Sequence, residues 1–146
     1  MTPYGKTAQA AIAAMSRLAE VYDAENPVKL SSIQIAEARG LPQPLIGKVL
    51  TWLSQEGLII GSPGPGGGYV LAKPPSEITL YEIAAPFDRL EETLVCPFGP
   101  NWCGNHPHCP LHDQLVELRN NVASFLRTST LEAFRVTSLS QKKARK

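Results

Sequence analysis

Apolar residues recur at helical spacing through much of this chain, and most runs are bounded by residues that start or stop helices. Ala8, Ala11, Ile12, Met15, Leu18, Ala19 and Tyr22 share one helical face, and Asn26-Pro27 marks its end. Ser31-x-x-Gln34 is a capping-box pattern, followed by Ile33, Ile35, Ala36 and Ala38, with Gly40 placed to terminate a helix of about two turns. Pro44 suits the first position of a third helix, and Leu45, Ile46, Val49, Leu50 and Leu53 form its apolar stripe. Gln43, Gly47, Lys48, Thr51 and Ser54 lie off that stripe. A short helix, a tight turn and a helix with a polar face make a helix-turn-helix pattern; two ordinary core helices would read similarly.

The pattern then changes period. Leu58-Ile59-Ile60 and Tyr69-Val70-Leu71 read as strands around the run Gly61 to Gly68, which predicts a hairpin. A hairpin directly after a helix-turn-helix is a wing, although a plain surface loop would share its composition. The glycine run is not a nucleotide-binding loop, because it precedes a strand and lacks a following Lys-Ser/Thr. Thr79-x-x-Glu82 is a second capping box, with Ile78 and Ile83 as a hydrophobic staple, predicting a short helix ended by Pro86. Leu111, Leu115, Leu118, Val122 and Phe125 alternate spacings of four and three, a seam suited to pairing with the same helix of a second subunit. Ser129-x-x-Glu132 predicts a further short helix with Leu131 and Phe134, before a polar, basic tail expected to be disordered.

The predicted fold is mainly α with a small β-hairpin wing: a winged helix-turn-helix plus a long dimerisation helix. The expected divisions are 1–85 for the DNA-binding domain, 86–112 for a Cys/His loop, 111–136 for the dimerisation region and 137–146 for the tail. At 43% hydrophobic and 18% charged, the 146 residues can bury a core, and no stretch reads as a membrane span or a signal peptide. Net charge is +1, arranged as +1 over 1–75, −4 over 76–136 and +4 over the tail. Charge alone therefore does not predict DNA binding; the architecture does.

The chemistry is concentrated in one stretch. All three cysteines and all three histidines lie between Cys96 and His112, in the order C-x6-C-x5-C-x2-H for Cys96, Cys103, Cys109 and His112. Three thiolates and an imidazole suit an iron–sulfur cluster or zinc. Such closely grouped cysteines fit a reducing, cytoplasmic setting. His106 and His108 read as solvated loop residues, and Phe98 and Trp102 as cover for the site. The wider first spacing argues against a zinc finger. No acid/base pair or substrate pocket is visible, so an enzyme is not expected, and an electron-transfer protein would leave the winged helix idle.

With Gly64-Pro65-Gly66-Gly67-Gly68-Tyr69, Ile78-Thr79-Leu80 and the cysteine triplet, the chain from about residue 5 to 136 resembles the Rrf-two family of bacterial winged-helix iron–sulfur transcription regulators, the IscR- and NsrR-like group. The resemblance implies a homodimer on a roughly palindromic double-stranded DNA operator. It further implies an iron–sulfur cluster that senses redox state, iron–sulfur supply or nitric oxide. By motif, Cys96, Cys103 and Cys109 take the cysteine-ligand positions and His112 the histidine position. One subgroup instead recruits an acidic ligand from the partner's first helix; the nearest match is Gln9, a poor iron ligand, which favours His112. That set suits [2Fe–2S] better than [4Fe–4S], with a zinc-bound or cluster-free winged-helix regulator as the alternative. Pro63 replaces a usual basic wing residue, Gly47 a larger polar one, and the first cysteine spacing is one residue longer. Gln43 and Lys48 are candidate base contacts, with Ser31 or Ser32, Thr51 and the wing glycines Gly66, Gly67 and Gly68 at the backbone. Leu115, Leu118, Val122 and Phe125 are the candidate dimer contacts.

Overall fold

A computed structural model describes residues 5–87 and 110–144. Helices α1 (Lys6–Glu20), α2 (Ser32–Arg39) and α3 (Gln43–Gln55) are followed by strands β1 (Ile59–Ser62) and β2 (Gly68–Leu71). A single 3-10 turn at Pro75–Glu77 leads to α4 (Leu80–Ala84), and α5 (His112–Thr128) and α6 (Glu132–Ala144) follow the Cys/His stretch. The mainly helical, winged architecture expected from the sequence is the one observed.

The helix ends follow from local chemistry. Ser31 Oγ accepts the Gln34 N–H at 3.2 Å while Gln34 Oε1 accepts the Ser31 N–H at 2.8 Å. Thr79 and Glu82 repeat this reciprocal pattern at 3.2 and 3.1 Å. Gly40, at φ 63°, closes α2 while Leu41 N–H donates to Ala36 O at 3.0 Å. Gly57, at φ 77°, closes α3 in the same way, with Leu58 N–H on Leu53 O at 3.0 Å. These six-to-one bonds satisfy carbonyls that a helix end otherwise leaves open. Removing the hydroxyl by Thr79→Ala is expected to cost about 1 kcal/mol in urea denaturation, because the Glu82 N–H in α4's first turn loses its acceptor. An unchanged midpoint would show that the cap contributes nothing.

The core is one cluster. Ala8, Ala11, Met15 and Leu18 of α1 meet Ile35, Ile46, Val49, Leu50, Leu53, Ile78 and Ile83, all fully or almost fully buried. Small alanines on α1 let neighbouring helices approach closely. The wing registers as Ile59↔Leu71, Ile60↔Val70, Gly61↔Tyr69 and Ser62↔Gly68, antiparallel. A third segment joins it: Leu30 N–H donates to Tyr69 O at 3.2 Å, and Tyr69 N–H to Leu30 O at 2.8 Å. The turn before it is set by Asp23, whose carboxylate accepts N–H bonds from Asn26 and Glu25 that hold its pKa below the ordinary 3.8.

Three expectations need correction. The third helix begins at Gln43, one residue before Pro44. Ser129 does not start a helix; it ends α5, its N–H donating to Phe125 O at 2.9 Å and its C=O accepting from Leu80 N–H at 3.0 Å. Thr130 bridges Thr79 there, so long-range pairing overrides the local capping pattern. The last helix does not stop near Val136 with a disordered tail after it: α6 runs to Ala144. It lies along α1, with Phe134 packed on the core, and tertiary packing lengthens helices that propensity alone would leave short.

Candidate nucleic-acid interface

α3 buries Ile46, Val49, Leu50 and Leu53 and turns Gln43, Lys48, Thr51, Trp52 and Gln55 outward. Of the predicted DNA-facing residues, Gln43 and Lys48 are exposed at the surface. Thr51 is also exposed, its hydroxyl donating to Gly47 O at 3.0 Å and keeping its lone pairs available. Ser31 is engaged in its capping box, and Ser32 is half-buried in the first turn of α2.

The wing glycines divide by role. Gly66, at φ 74°, is exposed in the wing loop. Gly67 and Gly68 serve the fold: a Cβ on Gly67 would lie 2.2 Å from Ser62 O, and one on Gly68 2.8 Å from Leu30 O. Gly67 and Gly68, expected at the DNA surface together with Gly66, are also required by the protein's own backbone.

A groove runs between α3 and the wing, lined by Thr51, Ser54, Gln55, Gly61, Ser62 and Tyr69. Ser54, Gln55, Ser62 and Tyr69 were missed as interface candidates. Gln55 was legible from its place on the outward face, whereas Tyr69 enters only through the hairpin register. Also on α3, Trp52 stacks on Phe87 with ring centroids 5.2 Å apart.

The Cys/His stretch is only partly described. Cys96, Cys103 and Cys109 lie outside the described residues, as do His106, His108, Phe98 and Trp102. His112 is the first residue of α5 and half-buried. Among the described residues no group of three His, Cys, Asp or Glu side chains is gathered to hold a metal. The donor set itself, three thiolates in the sequence and the imidazole of His112 at the first position of α5, fits an iron–sulfur group chemically. Gln9 is half-buried on α1 and engaged in an interaction.

The predicted dimer contacts separate. Phe125 is 56% and Leu118 43% exposed, Leu115 is half-buried, and Val122 packs against the core. Leu126, absent from the predicted seam, is fully buried. Among the described residues no helix is long and apolar enough to cross a membrane.

Residues 4–135 match the family model Rrf2, described as "Iron-dependent Transcriptional regulator". The chain is 30% identical over 122 residues to the HTH-type transcriptional regulator IscR of Photorhabdus laumondii, covering 84% of this chain and 72% of that one. Its fold is similar to CymR, the global cysteine regulator of B. subtilis, with TM-score 0.70 at 24% identity, covering 94% and 98% of the two chains. It is also similar in fold to T. potens IscR, with TM-score 0.68 at 21% identity, covering 95% and 88%. With an exposed helix-turn-helix face, a glycine-built wing and a match spanning almost its whole length, this chain belongs to the Rrf2 family of winged-helix transcription regulators.

Proposed function

We propose that this protein is a dimeric, cytoplasmic DNA-binding regulator whose Cys96, Cys103, Cys109 and His112 hold an iron–sulfur cluster, of the [2Fe–2S] type. The observation that supports it is one of order: an outward-facing α3 and wing, then every cysteine of the chain, then His112 at the start of a helix with an exposed apolar side. When bound, the cluster supplies reversible redox chemistry and sensitivity to oxidants and nitric oxide.

The protein's own residues do the rest. Gln43 and Lys48 face base edges in the major groove, where Gln pairs with adenine and Lys contacts guanine. The hydroxyls of Thr51, Ser54, Ser62 and Tyr69, in the groove between helix and wing, meet sugar–phosphate oxygens. Two copies joined along α5 set the separation of their α3 helices to match two half-sites. Cys96, Cys103, Cys109 and His112 stand in the chain between the winged domain and α5, so a group held by all four would link cluster state to the half-site spacing.

The test is iron and sulfide content with a visible spectrum of anaerobically purified protein. A gel-shift comparison with Cys103→Ala follows, on a duplex selected by the wild-type protein from a randomised pool. The expected result is bound iron and sulfide, with an affinity difference of roughly tenfold between the two proteins. Colourless protein with stoichiometric zinc would replace the cluster with a structural metal. Equal affinity of holo-protein and variant would remove the switch.

A further inference from the structure

The helix-turn-helix contains two basic residues, Arg39 and Lys48. Arg39 is turned inward: its Nε donates to Ala13 O at 3.2 Å, and its Nη2 donates to Ser16 Oγ at 3.0 Å and pairs with Glu20. Lys48 is therefore the cation this motif presents outward. Its Nζ lies 5.0 Å from the centroid of the Trp52 ring, one helical turn along α3. Trp52 is 40% exposed, yet its ring is fixed by stacking on Phe87 at an interplanar angle of 21°. Phe87, packed against the core, follows Pro86 and stands nine residues before Cys96.

We propose that Trp52 is a positioning residue for DNA binding: the Phe87–Trp52 stack holds Lys48 in the attitude in which it meets the duplex. A lysine on an open helix face spreads over many rotamers, and ordering it on binding costs affinity. An aromatic face beneath the ammonium narrows that spread before DNA arrives. The indole can do this only if its own ring is held, and Phe87 holds it.

The experiment is a double-mutant cycle on the full-length protein, using a duplex selected by the wild type from a randomised pool. Phe87→Ala is expected to weaken binding about fivefold when residue 48 is Lys, and by less than about twofold in the Lys48→Met background. Trp52→Phe should retain most affinity while Trp52→Leu matches Phe87→Ala. The slope of log affinity against log salt should fall by roughly one in Lys48→Met. Equal losses in both backgrounds, or no loss from Phe87→Ala, overturn the positioning role.

Discussion

Gly68→Ala is expected to cost ~2–4 kcal/mol and to strip most DNA affinity from the protein. Two independent reasons converge. Gly68 has φ 148°, where a side chain is strained, and its added Cβ would meet Leu30 O at 2.8 Å and Leu30 C at 2.9 Å. These are backbone atoms, so no rotamer change relieves the contact. The segment that must move is Leu30, whose two hydrogen bonds to Tyr69 tie the wing to the start of the helix-turn-helix. Loss of that tie frees the wing from α3 and opens the groove between them. Gly47→Ala is the internal comparison. Nothing lies within 4 Å of a Cβ there, and alanine in a helix interior should add roughly 0.5–1 kcal/mol. Denaturation midpoints that move in opposite directions confirm the distinction; a Gly68→Ala protein as stable as wild type refutes it.

Leu118→Glu combined with Phe125→Glu is expected to convert the proposed dimer to a monomer, raising its dissociation constant at least about a hundredfold. Both side chains are largely exposed on α5, so the folded protomer loses little by the change. In a two-fold pair, each substitution appears twice and places four carboxylates along one apolar contact. Sedimentation equilibrium reads the outcome directly. Binding to the selected duplex should fall in step, since one subunit reaches one half-site. Leu126→Ala separates assembly from folding: Leu126 is fully buried, so that change should cost roughly 2–5 kcal/mol of protomer stability. A double-Glu variant that remains dimeric would place the subunit contact elsewhere.

Much of the fold was legible because local rules agree with one another. Both capping boxes, the two helix-ending glycines and the buried Ile78 and Ile83 follow from spacing alone. The misreadings lie where distant backbone intervenes. Ser129 carries a capping pattern, but its carbonyl is taken by Leu80, so the chain there extends instead of starting a helix. Val122, on the predicted seam, also packs partly against the core, and Leu126, one turn on and absent from that seam, is fully buried. Of the predicted interface, Gln43, Lys48 and Thr51 lie on the exposed side of α3 as their spacing required. Tyr69 and Phe87 could not be assigned that way, because strand pairing and the turn after α4 bring them to α3.

The sequence by itself determined the order of elements, the capped starts of α2 and α4, the outward polar face of α3 and the collection of every cysteine and histidine into one stretch. These depend on interactions within a few residues, where side-chain chemistry and helical period suffice. Only the tertiary structure decided that Leu30 joins the wing, that Arg39 points inward while Lys48 rests on Trp52, and that α6 continues to Ala144. Each of these depends on atoms far apart in the chain, and long-range packing selects among arrangements that local pattern leaves equal.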